Sequence, residues 1–270
     1  EKLTDSAISW IRVHQREEFF LWLHYFDPHV PYDPPDAYRS VTTTNSRMLL
    51  NAARVREGFA AHTQKERDEI CALYDGEVRY VDANIGRVLN ALQECGIYDN
   101  ALIILTADHG EEHWDHDGFE HGHTLYNELL RVPLIIKLPM HHATARVTAY
   151  VGTASIPSTV YELCGIHTDA IALLSSSLVP VLTGENAGFE EHPLFAGGLL
   201  YFGEKSCVIF DGWKLIQDAL SGRCELYNLR EDPQELTSLT GVNTSAADQG
   251  RQLIHDARKE AESVKLKLGL

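Results

Sequence analysis

The chain has 270 residues, 44% of them hydrophobic, which is enough for one large domain, or a large and a small one, with a buried core. Its formal charge of −16 argues against nonspecific nucleic-acid binding, because an acidic surface repels polyanions. The longest apolar stretches have the length of buried strands, well below the ~18 residues of a membrane span, and the first residue, Glu1, leaves the cellular compartment open.

The N-terminal region is predicted to form a short helix, a buried strand and a rigid loop. Apolar residues have helical spacing at 4–16, and FFLWLHY at 19–25 is typical of a buried strand in which His24 would be a core histidine. The next segment, FDPHVPYDPP at 26–35, contains four prolines, which fix φ and remove backbone donors. These prolines would hold His29 in one orientation.

A long helix and a strand follow and give the clearest fold signal. Thr63 and Glu66 form a capping box, and apolar residues then recur with helical spacing until Gly96 supplies a stop signal. ALIILTA at 101–107 is predicted to be a buried strand, and the order helix, turn, strand is the unit of an α/β sheet. Asp108 comes at the end of this strand, where ligands collect in open α/β sheets.

The rest of the chain is predicted to contain strands, a helix and a hairpin. These are a strand at 132–137, a short strand at 149–153, a helix at 158–164 stopped by Gly165, a hairpin across 199–218 that turns at Asp211-Gly212, a strand within 222–239 and a terminal helix at 245–268. We therefore expect an α/β core over residues 1–190 and a subdomain with antiparallel strands and a terminal helix over residues 191–270.

The five cysteines are scattered without a C-x-x-C pair, a pattern that is neither a disulfide framework nor a zinc ribbon. Cys71, Cys95 and Cys164 lie in apolar helical contexts and are expected to be inert core residues. Cys207 and Cys224 flank the predicted hairpin, so a pairing between them stays open.

The loop DHGEEHWDHDGFEHGHT, residues 108–124, holds five histidines and six acids. A carboxylate and an imidazole on the adjacent residues Asp108 and His109 can both reach one cation, and they suit Ca²⁺, Mg²⁺, Mn²⁺ or Zn²⁺ according to the other ligands. His121 and His123 lie far enough downstream for the loop to return over the same cation. A protonated histidine can also donate to an anionic oxygen or act as a general acid.

Other polar residues near the predicted strand ends give weaker signals. Asp27 and His29 follow the first predicted strand and offer a second set of metal-capable groups. His113 and His116 are each expected to face solvent, while Arg131 either pairs with a nearby acid or reaches an anion. For each of these residues the alternative is a surface or capping role without a ligand.

Four segments resemble the sulfatases of the alkaline phosphatase superfamily, in the order in which that family carries them. The segments are FFLWLHYFDPHVPY (19–32), YDGEVRYVDANIGRVLNAL (74–92), LTADHGEEHWDHDGFEHGHTLYNELLRVPLIIKLP (105–139) and ELYNLREDPQELTSL (225–239). The third segment is long and highly specific. The resemblance implies an alkaline phosphatase-like α/β fold, with a mixed sheet flanked by helices and a small C-terminal antiparallel α+β subdomain.

The resemblance also implies hydrolysis of a sulfate ester, of a small molecule or a carbohydrate, at a divalent-metal centre that usually holds calcium. Asp108 and His109 would be metal ligands, and His29 would contact the sulfate. His123 would hold the sulfate or the leaving-group oxygen, and Arg131 is kept as a further substrate-binding residue.

The chain departs from the family at the nucleophile. Relatives carry two acidic metal ligands and then C-x-P-S/A-R, whose cysteine or serine becomes formylglycine, and none of the five cysteines here has that context. We therefore expect the C-terminal half to two-thirds of a sulfatase, inactive alone, that works with a missing N-terminal segment or associates as a homo-oligomer. Two alternatives stay open: a phosphatase, phosphodiesterase or phosphoglycerol transferase of the superfamily, and a non-catalytic binding module with an exposed apolar sheet edge.

Overall fold

The protein is described by a computed structural model. It covers residues 1–41, 62–141, 144–166, 175–184, 191–201 and 203–268. These residues form two compact units that are interleaved along the sequence. The first unit comprises Glu1–Leu105, Glu111–Glu120 and Leu134–Ala143, and the second comprises Thr106–Gly110, His121–Pro133 and Thr144–Leu270. The predicted division at residue 190 stays a prediction.

Two helices and two short strands form the frame of the first unit. They are α1 (Lys2–His14), α2 (Gln64–Glu94), β1 (Ile103–Thr106), which ends in the second unit, and β4 (Leu134–Lys137), which pairs with β1. α1 and α2 pack through buried Ile11, Val88 and Leu92. The predicted capping box at Thr63 is present, and Gly96 ends the helix region with a φ of 68°.

Residues 19–25 differ from the prediction of a buried strand. Where the structure describes them, they belong to no helix or strand. Leu21 and Leu23 pack against the α1–α2 cluster, whereas Phe20 and Trp22 are 76% and 70% exposed. His24 is exposed as well, so its expected core position is wrong. Partly buried and exposed side chains alternate along this segment as they would along a strand, but only one face of the segment packs against other residues.

A small hairpin completes the first unit. Its strands, β2 (Glu112–His113) and β3 (Phe119–Glu120), are antiparallel, with Glu112 opposite Glu120 and His113 opposite Phe119. Phe119 is buried with Tyr32, Ile70 and Leu73. The hairpin therefore anchors the middle of the histidine-rich loop in the core of the first unit.

The second unit is built on an antiparallel sheet whose four described strands lie in chain order. They are β5 (Leu194–Gly197), β6 (Lys205–Phe210), β7 (Trp213–Asp218) and β8 (Cys224–Asn228). The β6–β7 turn lies at Asp211-Gly212 as predicted, and both residues have positive φ, 49° and 81°. Such values suit a tight two-residue hairpin turn.

The two faces of this sheet cover different partners. On one face, Val208, Leu215 and Leu226 are 0% exposed and pack against the long C-terminal helix α6 (Thr244–Leu268). On the other face, Cys207, Ile216 and Tyr227 pack against Leu125 and Leu229. The alternation along β6 and β7 explains this division, because successive side chains of a strand point to opposite faces.

The remaining described elements are short. They are a 3₁₀ turn (Asp36–Tyr38), α3 (Asn127–Leu130), α4 (Ser155–Leu163) and α5 (Val179–Leu182). α4 begins three residues before the predicted helix, which started at residue 158, and is followed by Gly165 at a φ of 65° as expected. The strand predicted at 149–153 is wrong, since those residues are described and form no strand.

All five cysteines lie in described segments and are free thiols, so Cys207 and Cys224 form no disulfide. Cys71 and Cys95 are half-buried, but Cys164 is exposed, and its predicted core position is wrong. Cys207 is buried, and this burial raises the pKa of its thiol to about 12. Over the residues described, no helix is both long and apolar enough to cross a membrane.

Candidate active site

The histidine-rich loop is divided between the two units. Residues 108–110 and 121–124 belong to the second unit, and the hairpin at 111–120 belongs to the first. The two ends of the loop therefore form one structural group, and its middle forms another. The two groups are held in place by different contacts and differ in the functional side chains that they present.

Asp108 and His109 lie two and three residues beyond β1, and both side chains are exposed. The Nδ1 atom of His109 lies 2.8 Å from the Gly110 carbonyl oxygen. Because a carbonyl only accepts, Nδ1 carries the proton of this bond, which leaves Nε2 as the basic nitrogen. That Nε2 lies 3.8 Å from Oδ2 of Asp108.

His121 joins this group from the other end of the loop. Its ring centroid lies 4.2 Å from that of His109, with the ring planes tilted by 34°. The second unit therefore brings a carboxylate and two imidazoles together from positions thirteen residues apart in sequence. His121, a weaker candidate from the sequence, thus lies beside His109 in the second unit.

The position of His109 depends on the tight seating of Gly110. The Gly110 amide donates to the carbonyl oxygen of Leu129 in α3 over 2.8 Å. A Cβ atom at Gly110 would lie 1.9 Å from the Glu128 carbonyl oxygen, far inside van der Waals contact. The backbone of α3 thus requires glycine after the Asp-His pair.

Residues 121–126, which we call the return segment, are attached to the rest of the second unit by backbone and side-chain hydrogen bonds. The carbonyl oxygen of Gly122 accepts from the amides of Leu200 and Tyr201, over 3.0 and 2.9 Å. The Tyr126 hydroxyl donates to Glu225 on β8 over 2.6 Å. His123, half-buried, lies between these two attachments in the chain.

α3 itself rests on a buried ion pair. The Lys214 Nζ and Glu235 Oε1 atoms are 2.6 Å apart, and both side chains are 0% exposed. Glu235 Oε2 accepts from the Asn127 amide over 2.6 Å, and Lys214 donates to the Asn127 side-chain oxygen over 3.1 Å. Sequence reasoning misses this pair, although a lysine among the apolar residues of WKLIQD is an available signal.

The middle of the loop is structural. His113 is packed between Tyr74 and Phe119, at ring separations of 4.7 and 6.2 Å. Burial is the main cause that lowers the pKa of His113, and the prediction that this residue faces solvent is wrong. Glu112 is buried too, and it accepts from the backbone amides of His116, which is half-buried, and Gly118. Several acidic and histidine side chains of the loop therefore serve to stabilise the hairpin.

His29 and Asp27 lie in the first unit, both half-buried. The His29 ring stacks on Phe26 at 4.7 Å, and its Nδ1 lies 2.7 Å from the Val30 carbonyl oxygen. The Val30-Pro31 peptide bond is cis. The prolines and the stacking thus fix His29 in orientation, as the sequence indicates, while its proximity to Asp108 and His109 stays a prediction.

Glu77 is the buried acid that contacts this proline-rich segment. It is 4% exposed, and its Oε1 accepts from the Asp33 amide over 2.7 Å. Burial raises the pKa of Glu77 to about 7; the hydrogen bond from the Asp33 amide and the charge of Arg39 oppose the shift, while the charges of Asp27 and Asp33 add to it. Arg131, by contrast, is exposed at the end of α3, and whether it binds an anion stays a prediction.

The Asp108-His109 pair fits part of a metal shell. Donor atoms 3.8 Å apart can share one ion at the usual ligand distances of about 2.0–2.6 Å. A hydrogen bond from Nδ1 to a backbone carbonyl is the contact that orients metal-binding histidines. Within the described part of the chain, no group of three or more His, Cys, Asp or Glu side chains is arranged to hold a metal. The pair would therefore need further ligands.

Comparisons with known proteins agree on one family. The family model for sulfatases matches residues 1–166. The chain is 26% identical to arylsulfatase K of Bos taurus, over 97% of this chain and 56% of that protein. It is 30% identical to the uncharacterized sulfatase YidJ of Escherichia coli, over 95% and 54%. The chain thus spans about half the length of these curated relatives.

Two further relatives differ in their named chemistry. One is an N-acetylglucosamine-6-O-sulfatase of Bacteroides thetaiotaomicron, 26% identical over 69% of this chain and 35% of that protein. The other is the solved structure of a phosphonate monoester hydrolase from Silicibacter pomeroyi, with a TM-score of 0.77 and 22% identity over 96% of this chain and 59% of that one. The structural likeness shows an alkaline phosphatase-like fold, as the sequence predicts.

Proposed function

Because this chain belongs to the sulfatase family, we propose that it supplies a metal-binding part of an enzyme that hydrolyses sulfate esters. The observation that carries the proposal is the group formed by Asp108, His109 and His121 just beyond β1. Carboxylate and imidazole together suit a divalent cation, and Ca²⁺ is the ion that the family resemblance favours. Mg²⁺, Mn²⁺ and Zn²⁺ are compatible with the same donors.

Asp108 and His109 would hold the ion, with His121 against the His109 ring. When bound, such an ion neutralises charge on the sulfuryl oxygens of the ester. The Gly110 carbonyl accepts from Nδ1 of His109, so Nε2 would be the nitrogen available to bind an ion. Other residues must then serve the leaving group.

We propose that His29 and His123 protonate or stabilise the leaving group, and that the positive charge of Arg131 attracts the anionic ester. In the reaction, water and the ester give an alcohol and hydrogen sulfate, and the S–O bond to the alcohol breaks. A protonated imidazole would deliver its proton to that departing oxygen. The fixed ring of His29, stacked on Phe26, suits such a role because a general acid must be held within hydrogen-bond reach.

The nucleophile would come from outside these 270 residues. None of the five cysteines stands in C-x-P-S/A-R, the context in which relatives form formylglycine. The outward side chains of Phe20, Trp22 and Phe26, 76%, 70% and 65% exposed, support a further segment that covers this face. Loss of a covalent nucleophile typically costs several orders of magnitude in rate, so the chain alone is expected to be nearly inactive.

A sulfated carbohydrate is the proposed substrate class, supported by the relative named as an N-acetylglucosamine-6-O-sulfatase. The phosphonate monoester hydrolase supports a second candidate, a phosphoester or phosphonate hydrolase of the same superfamily. A third candidate is a non-catalytic module that uses the exposed face for assembly. Metal binding separates the first two from the third, and substrate preference separates the first from the second.

Calcium titration tests the metal site directly. Asp108→Asn and His109→Gln should each weaken Ca²⁺ binding more than about tenfold, measured by calorimetry on the product of the complete coding sequence, which would supply the further ligands. His116→Gln is the matched control, since it changes the same residue type in the same loop but within the hairpin of the first unit. Equal affinities in all four proteins would remove the proposed site.

The complete coding sequence and its product test the activity. A C-x-P-S/A-R segment upstream supports the sulfatase, and hydrolysis of 4-nitrophenyl sulfate should then exceed that of 4-nitrophenyl phosphate and of a phenylphosphonate ester. The reverse order of rates would favour the second candidate. No turnover of any of the three esters by the complete product would favour the non-catalytic module.

A further inference from the structure

The buried pair Lys214–Glu235 lies outside the group assigned to the metal, yet it occupies an exceptional environment. Both side chains are 0% exposed, with Nζ and Oε1 2.6 Å apart. Burial raises the pKa of Glu235, and the nearby Lys214 ammonium opposes that shift. Two apolar side chains of similar volume usually stabilise a protein core at least as well as a buried ion pair does. The role of this ion pair therefore has to be sought in the specific hydrogen bonds that it makes.

Those contacts converge on one residue, Asn127. Glu235 Oε2 accepts from its amide over 2.6 Å, and Lys214 donates to its side-chain oxygen over 3.1 Å. The Asn127 side-chain amide donates in turn to the Pro233 carbonyl over 3.2 Å. Asn127 is the first residue of α3, a helix of four residues that is too short to be stable by itself.

α3 transmits this anchorage to the Asp-His pair. The Leu129 carbonyl accepts from the Gly110 amide over 2.8 Å, and Gly110 packs too tightly on Glu128 to admit a Cβ atom. The Gly110 carbonyl then holds Nδ1 of the adjacent His109 over 2.8 Å. Hydrogen bonds at Asn127, the backbone of α3 and the hydrogen bonds of Gly110 together connect the ion pair to the imidazole.

We infer that Lys214 and Glu235 are positioning residues, which hold α3 so that the loop of Asp108 and His109 keeps one conformation. The purpose of this positioning, which is to hold a metal-binding pair, rests on the proposed function. The contacts that produce it all lie within this chain. An apolar pair could fill the same space without bonding the amide and the side-chain oxygen of Asn127. The charges thus specify where α3 sits.

Amide hydrogen exchange tests the inference without any metal or substrate. In Lys214→Met, the Gly110 amide should exchange at least about tenfold faster relative to the amides of β6, because α3 loses an anchor while the sheet persists. Asn127→Ala should give the same relative change with the ion pair intact. It serves as the second variant if Lys214→Met does not fold.

Ile254→Val is the matched control. Ile254 is 2% exposed in the cluster on the opposite face of the sheet, so its truncation lowers stability without contact to Asn127. In this variant the exchange of Gly110 and of β6 should keep the wild-type ratio. An unchanged ratio in both Lys214→Met and Asn127→Ala would overturn the inference.

Calcium affinity separates this inference from the proposed function. If wild type binds Ca²⁺ and Lys214→Met weakens binding about tenfold with unchanged far-UV circular dichroism, both stand. If wild type binds no Ca²⁺ but the exchange ratio still shifts, the metal assignment fails and the positioning role stands. If wild type binds Ca²⁺ and Lys214→Met binds it equally well with an unshifted ratio, only the positioning role fails.

Discussion

Replacing Gly110 with alanine should disturb the Asp-His pair through a steric clash. The new Cβ atom would lie 1.9 Å from the Glu128 carbonyl oxygen and 3.0 Å from its carbonyl carbon. Ordinary contacts between such atoms are about 3.5–4.0 Å. The obstacle is backbone in α3, which cannot rotate away like a side chain, so the loop or the helix must move by more than about 1 Å.

The cost follows from the contacts that this movement breaks. Forcing a methyl group into a packed site typically costs about 1–3 kcal/mol, and the 2.8 Å bond from Gly110 to Leu129 contributes about 1 kcal/mol more when it is lost. Alanine restricts the unfolded chain, which returns about 0.4–1 kcal/mol. These contributions give a net destabilisation of the second unit by about 1–3.5 kcal/mol.

Hydrogen exchange of β7 amides under urea measures this free energy, since β7 is a central strand of the second unit's sheet. Gly86→Ala is the control, because Gly86 lies inside α2 and its added methyl group would meet nothing within 4 Å. There alanine should stabilise α2 amides by about 0.5–1 kcal/mol, through helix propensity alone. The reasoning is refuted if Gly110→Ala is as stable as wild type and leaves the chemical shifts of His109 unchanged.

Four further substitutions test other parts of the fold. Thr63→Ala removes the capping box of α2 and should cost about 1 kcal/mol by urea unfolding, and no change would contradict the capping role. Glu77 has a raised pKa, from 4.5 to about 7, so the folded chain binds a proton that the unfolded chain releases, and stability should fall as pH rises through this window. Glu77→Gln keeps an acceptor for the Asp33 amide and should flatten that pH dependence, whereas an unaltered slope would assign it elsewhere. Leu226→Ala, at a 0% exposed position, should cost about 3–5 kcal/mol, while Leu236→Ala, 66% exposed, should stay within about 0.5 kcal/mol; similar losses for both would contradict the burial pattern.

The elements that the sequence predicts well are those with local causes. The capping box at Thr63 and the turn at Asp211-Gly212 need only residues within a few positions, and both are present. Residues 19–25 form an apolar run with the length of a buried strand, but which of these side chains are covered depends on segments far away in the chain. A single sequence shows that such a segment is apolar, but it does not show which other segment packs against it.

The candidate site divides in the same way. Asp108 and His109 are predictable from their place after a strand, and His121 from its loop, because these signals are sequential. The prediction for His113 is wrong because the rings that bury it, Tyr74 and Phe119, come from a distant helix and the far side of the hairpin. The two units are made of segments that alternate along the chain, and no local pattern in the sequence indicates such an arrangement.

The buried thiol of Cys207 gives the second unit an internal reporter. Burial raises the pKa of this thiol to about 12, so the reactive thiolate is scarce at neutral pH, and alkylating reagents should label Cys207 mainly when the sheet separates from Leu125. Cys164 is exposed and would react at once, which calibrates the reagent in the same sample. The difference between the labelling rates of the two thiols would measure how often the sheet opens beneath the return segment. The measurement needs no mutation and no attached dye.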